Sequence, residues 1–129
     1  MSKIGNIDLT RLDCPPEQHE FDTAKYFANL GKDIIFLKPS RIPNTHTPDI
    51  IMDSVEWEIK CPKGNGKHTI ETNFRSAIQQ SHYLIFDFRR CKLPEKQSIN
   101  QLEKEFSSRP YLKKLYVIKK NCDLLKYPK

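Results

Sequence analysis

No stretch of the 129 residues comes near the run of about 20 apolar residues that a membrane-crossing helix requires. A transmembrane helix is therefore not expected. The opening, MSKIGNIDLT, lacks the apolar central region of a secretory signal peptide. Cysteine is sparse and scattered: Cys14, Cys61, Cys91 and Cys122 include no C-x-x-C pair. That spacing argues against a structural zinc site or a disulfide framework and for reduced thiols in a cytosolic setting. A phosphate-cradling P-loop is excluded as well, because the G-x-x-x-x-G-K-[ST] spacing is missing. There is no internal repeat, no low-complexity segment and no linker composition, so one domain is expected.

What is present is a globular composition, 37% hydrophobic and 29% charged, with a formal charge of +6. The positive balance favours a polyanionic partner without demonstrating one. The stretch Thr47 to Pro62, TPDIIMDSVEWEIKCP, organises the reading. Two apolar runs, Ile50–Met52 and Val55–Ile59, flank Asp53-Ser54, the pattern of a tight β-hairpin. If Met52 faces Val55, cross-strand partners have numbers that sum to a constant and Asp49 faces Glu58. Directly opposed side chains share a face with Cβ atoms about 5 Å apart. Lys60 lies on the same face, two residues beyond Glu58, while Trp57 and Ile59 turn to the other face. Two opposed carboxylates beside a lysine are the parts of a divalent-metal hydrolytic site. Glu56 shares the Glu58 face and is a weaker candidate ligand. The alternative reading stays open at this level: acids and a lysine on a solvated sheet face, with Glu58 and Lys60 as an ordinary diagonal ion pair.

In chain order, residues 1–14 carry little periodicity and are read as an N-terminal arm, with the folded domain over 15–129. Pro15-Pro16 fit the first turn of a helix that continues to Leu30 on Phe21, Ala24, Phe27 and Ala28, with Gly31 as its stop. Glu20 falls on the inward stripe, although its plain reading is a first-turn acid that complements the helix dipole. Asp33–Leu37 reads as a strand and KPSRIPNTHTP as a loop. Cys61 to His68 is a basic, glycine-containing connection. A helix over Thr69–Ser81, a doubly buried central strand over Tyr83–Phe88, a helix over Ser98–Ser107 and a strand over Leu115–Lys119 follow, with a short edge strand near Asp123–Tyr127. The expected fold is α/β, a mixed β-sheet flanked by helices.

Pro48-Asp49, eight residues, then Glu58-Ile59-Lys60 resembles the signature of the PD-(D/E)XK nuclease superfamily, which implies an αβββαβ core. Within it, the chain resembles the C-terminal tRNA nuclease domains of contact-dependent growth inhibition toxins of the CdiA type. The likeness runs through His19-Glu20, Thr23-Ala24, Thr47 to Ile50, Trp57 to Lys60, Pro62, Gly64, Ala77, Gln80-Ser81 and the strand into Arg89-Arg90. It implies a catalytic set of Glu20, Asp49, Glu58 and Lys60, with Asp49, Glu58 and Glu20 on the metal. That metal is expected to be Mg²⁺, with Mn²⁺ or Zn²⁺ as alternatives. The implied substrate is nucleic acid, tRNA ahead of DNA, with Lys63, Lys67, His68, Arg75 and Arg89 as backbone contacts. The implied setting is a bacterial cytoplasm reached by delivery into a target cell, with an acidic immunity protein as inhibitor. Three rivals remain: a DNA endonuclease of the same fold, a non-catalytic nucleic-acid-binding module, and metal-free RNA cleavage through the 2′-hydroxyl.

Overall fold

A computed structural model describes residues 3–40, 42–43, 47–64 and 66–128. Among these, seven strands form one mixed sheet whose spatial order, β1 to β7, is the order of the sequence. The elements are β1 (Ile7–Asp8), α1 (Gln18–Asn29), β2 (Ile34–Phe36), β3 (Ile50–Met52), β4 (Val55–Lys60), α2 (Thr69–Gln80), β5 (Tyr83–Asp87), α3 (Glu95–Ser107), β6 (Lys114–Ile118) and β7 (Leu124–Tyr127). This is the expected small α/β domain with helices on both faces of a mixed sheet.

The hairpin register is the expected one: Met52 pairs with Val55, Ile51 with Glu56 and Ile50 with Trp57. Its turn residues Asp53 and Ser54 both have positive φ, 55° and 67°. That is the primed turn whose twist matches the flanking strands. Past the hairpin, β4, β5 and β6 run parallel, joined by α2 and α3, and β7 returns antiparallel. β5 is therefore central, as its apolar run YLIFD demands.

Side-chain alternation along these strands builds two cores. Leu84, Phe86, Leu115 and Val117 pack with Phe74 and Ala77 of α2 and Leu102 of α3. Trp57, Ile59, Ile85, Tyr116 and Ile118 pack on the opposite face with Ala24 and Phe27 of α1. The Trp57 indole N–H donates to the Met52 carbonyl at 2.9 Å, satisfying the single polar atom of a fully buried ring.

Some expectations move. Pro15-Pro16 precede α1 instead of opening it, and Glu17 is the N-cap. α3 begins three residues earlier than the periodicity indicated, at Glu95. Gly31 ends α1 at φ 92°. Within the expected loop from Lys38 to Pro48, Arg41 and residues 44–46 lie outside the described residues, as do Asn65 of the basic connection and residues 1–2 of the arm. Two residues of the arm, Ile7–Asp8, join the sheet. β1 pairs parallel with β2, the Ile34 amide donates to the Asn6 carbonyl at 2.8 Å, and the Gly5 amide donates to Ala28 at 2.8 Å. A two-residue strand leaves no alternation to detect.

Gly5 is confined by this docking: a Cβ there would lie 1.8 Å from the Lys32 carbonyl oxygen. Gly5→Ala is expected to push the arm off the sheet edge and cost about 1–3 kcal/mol, the range for overpacking. Urea unfolding reads the loss, and faster hydrogen exchange of the Ile34 amide locates it.

Candidate active site

β4 has six residues and β3 has three, so β4 outruns its antiparallel partner. Glu58, Ile59 and Lys60 pair with Leu84, Ile85 and Phe86 of β5 on one side. On the other side the ladder stops at Ile50–Trp57. Asp49 sits at that stop. Its amide donates to the Trp57 carbonyl at 3.0 Å, and its Oδ2 accepts the Ile59 amide at 2.8 Å. The carboxylate thus stands in for the missing strand partner of Ile59. The expectation that Asp49 squarely opposes Glu58 is corrected to this offset seat over the β4 backbone. The physical reason is that an amide at an open strand edge recruits the nearest acceptor.

Glu58 and Lys60 share the sheet face that carries α2, as alternation requires. Glu58 is only 6% exposed. Its Oε2 lies 3.4 Å from the Lys60 ammonium, which also donates to the Ser76 hydroxyl of α2 at 3.1 Å. Its Oε1 is buried and has no hydrogen-bond partner among the described residues. Burial raises the Glu58 carboxyl above its ordinary range, and the Lys60 charge opposes that rise.

Glu20 arrives from the other face. The Cys61 thiol donates to the His19 carbonyl at 3.8 Å and lies 3.5 Å from the Thr23 hydroxyl. These contacts seat the start of α1 against the end of β4. Burial and the Asp49 charge push the Glu20 carboxyl up to about 7. Burial and the Glu58 charge push Asp49 up to about 7, against the lowering effect of the Ile59 amide. Glu20, Asp49, Glu58 and Lys60 are therefore brought together as one electrostatic unit.

No three His, Cys, Asp or Glu side chains among the described residues form a ready metal cluster. The donor set still suits a hard divalent cation. Such an ion commonly takes one or two carboxylates and fills its remaining positions with water and phosphate oxygens. Glu58 Oε1, a buried carboxylate oxygen without a donor, and the Asp49 oxygen not used by Ile59 are the lone pairs on offer. A cation there would offset the burial that raises all three acids and the repulsion that adds to it at Glu20 and Asp49.

The basic candidates divide. Lys63, Lys67 and His68 are exposed in the connection from β4 to α2. His68 Nδ1 lies 3.4 Å from Glu71, and exposed Arg75 pairs with the same Glu71 at 2.6 Å. Arg89 is held inward: its guanidinium grips Asp87 at 2.7–3.2 Å and lies over the Tyr26 ring at 5.3 Å. Glu56 is exposed, unlike buried Glu58 on the same strand. Sequence reasoning gave no role to Ser76, Thr23 or buried Asp87. Asp87 accepts the Thr23 hydroxyl at 2.6 Å and ties α1 to β5; the one signal it gave was a lone acid inside an apolar strand.

A family model for the contact-dependent growth inhibition CdiA C-terminal domain matches residues 45–123. The chain belongs to this family. The matched region contains Asp49, Glu58 and Lys60, while Glu20 comes from the segment before it. A chain of the solved CdiA-CT/CdiI toxin and immunity complex from Burkholderia pseudomallei is similar over 95% of this chain and 98% of that one, with a TM-score of 0.66 and 19% identity. At that identity the likeness speaks for the fold. Curated proteins give no significant match.

Proposed function

We propose that this CdiA C-terminal domain is a metal-dependent nuclease of the PD-(D/E)XK type that cleaves tRNA and serves as the toxic end of a growth-inhibition system. One observation carries the reading: Asp49, Glu58 and Glu20 crowd together beside Lys60, with a buried carboxylate oxygen left unpartnered. A structural sheet has no reason to accumulate that repulsion, since buried charges are normally paired. The spacing Pro48-Asp49 to Glu58-Ile59-Lys60 supports the same reading.

Asp49 and Glu58 would hold Mg²⁺ in this reading, with Glu20 beside them. The ion supplies Lewis acidity toward the phosphodiester. Lys60, held between Glu58 and Ser76, is placed to orient the nucleophilic water and to stabilise charge that develops on the phosphate. Past Ile50, β3 no longer pairs with β4, and Lys63, Lys67, His68 and Arg75 offer a polymer backbone cations nearby in sequence. The structural neighbour is a toxin and immunity complex. Carried to this chain, that supports an immunity protein as partner, and the +6 charge favours an acidic one. Action in a bacterial cytoplasm after delivery follows from the same reading.

The test is incubation of the protein with total tRNA, plasmid DNA and single-stranded DNA, each with Mg²⁺, Mn²⁺, Zn²⁺ or EDTA. The expected result is tRNA cleavage with Mg²⁺ that falls at least about a hundredfold in EDTA, the scale of losing one electrostatic catalyst. Cleavage of plasmid in place of tRNA assigns the site to DNA. Cleavage that survives complete chelation overturns the metal role of Asp49 and Glu58. Salt-sensitive binding without cleavage overturns the enzyme reading.

A further inference from the structure

α1 covers one face of the sheet, α2 and α3 the other, and between them β4, β5 and β6 end side by side. The crevice outside the carboxyl ends of parallel strands is where open α/β sheets take ligands. Here it is a cleft of about 590 Å³, walled by His19 and Tyr26 of α1 on one side and by Cys61, Arg89 and Arg90 on the other, with Lys25 at its rim. That volume lies within the range of small-ligand pockets. None of Glu20, Asp49, Glu58 and Lys60 lines the cleft; its link to them is Cys61, close enough to Glu20 to feel that charge and 3.5 Å from the Thr23 hydroxyl.

Its walls differ in what they can still bind. The Arg89 guanidinium is spent on Asp87, and the Tyr26 hydroxyl donates to the Cys122 carbonyl at 2.7 Å. Arg89 lies over the Tyr26 ring and covers it, so the planar surface on this side is the guanidinium itself, fixed by Asp87. Arg90 is different. Its Nε and Nη2 donate to the Cys61 carbonyl at 3.1 and 3.0 Å, and it pairs with no carboxylate among the described residues. The side chain is exposed, its charge is unspent and it keeps donors for another acceptor. Exposed Lys25 adds a second cation. A guanidinium plane beside unspent cations is the chemistry that holds a nucleotide, base on the plane and phosphate on the charges. A wall fixed in advance loses little entropy on binding.

We propose that this cleft holds the nucleotide flanking the cleaved bond, with its phosphate on Arg90 and Lys25 and its base against the Arg89 guanidinium that rests on Tyr26. The position beside a cleaved bond rests on the nuclease reading; the nucleotide pocket itself does not. Two measurements separate them. In the first, adenosine 5′-monophosphate is titrated into ¹⁵N-labelled protein in EDTA. The expected shifts fall on the Tyr26, Cys61 and Arg90 amides and are lost in Arg90→Ala that keeps its circular dichroism spectrum. No shift there, or the same Tyr26 shift with inorganic phosphate alone, overturns the pocket. In the second, Arg90→Ala and Lys25→Ala are assayed on whichever nucleic acid the parent cuts. Each is expected to raise KM about tenfold, the effect of one lost charge-assisted contact, with the loss in KM and not in kcat. Unchanged KM overturns the flanking position. If the parent cuts nothing, the nuclease reading fails and the titration still decides the pocket. Lys25 makes no internal bond among the described residues, so its variant tests the cleft without a folding cost.

Discussion

Lys60→Ala is expected to lower cleavage by three orders of magnitude or more while the chain stays folded. The ammonium sits 3.4 Å from Glu58 and 3.1 Å from the Ser76 hydroxyl at the end of β4, one of the groups at the open edge. If it orients the nucleophile and meets the charge of the transition state, removing it forfeits stabilisation that the ground state does not share. The same change leaves Glu58 buried without its cation, so some stability goes too, about 1–3 kcal/mol for an incompletely buried pair. Both are measurable on one preparation, by single-turnover cleavage and by thermal melting. A variant that melts lower yet cuts as fast as the parent makes Lys60 a structural counterion and nothing more.

Asp49→Asn should move activity and stability in opposite directions. Asparagine keeps an oxygen for the Ile59 amide and removes the charge that Glu58 and Glu20 repel. The sign follows from the raised carboxyl. Asp49 titrates near 7 in the fold and near 3.8 when unfolded. As pH rises through that window the unfolded chain releases its proton first, so the native state loses stability. Below the unfolded value the charge contributes nothing. The asparagine variant lacks this slope. Without metal at pH 8 it should be more stable by about 1–3 kcal/mol, a fraction of the linkage of about 1.4 kcal/mol per unit because the acids share their protonation. Near pH 4 the advantage disappears. With Mg²⁺ the order reverses: the parent gains melting temperature through binding, the variant gains little, and its cleavage falls by about a thousandfold. If the parent is instead more stable at pH 8 than at pH 5 through this group, the assigned crowding is wrong.

The hairpin and its register were legible because a two-residue turn leaves one pairing, and Trp57 and Ile59 had to face inward. The end of the ladder was not. Nothing in TPDII says that β3 stops at Ile50, yet that stop is what bends the Asp49 carboxylate onto Ile59. Glu20 could be placed on the inner stripe of α1, but two prolines suggested the wrong first turn. Its meeting with Asp49 depends on Thr23, Cys61 and Asp87, contacts between segments up to 64 residues apart. Arg89 read as a free cation after a strand. Its partner Asp87 was hidden because a single acid inside YLIFDF does not break an apolar run. β1 was invisible for want of length.

The sheet order has a consequence for how the domain is made. Each strand lies beside the strand that precedes it in the chain, so the sheet can grow outward from any hairpin or β-α-β unit by adding the next piece already tethered to it. No strand has to wait for a distant part of the polypeptide, and the loop-closing entropy of every pairing stays small. Its slow steps are then the parallel pairings, each closed across a single helix.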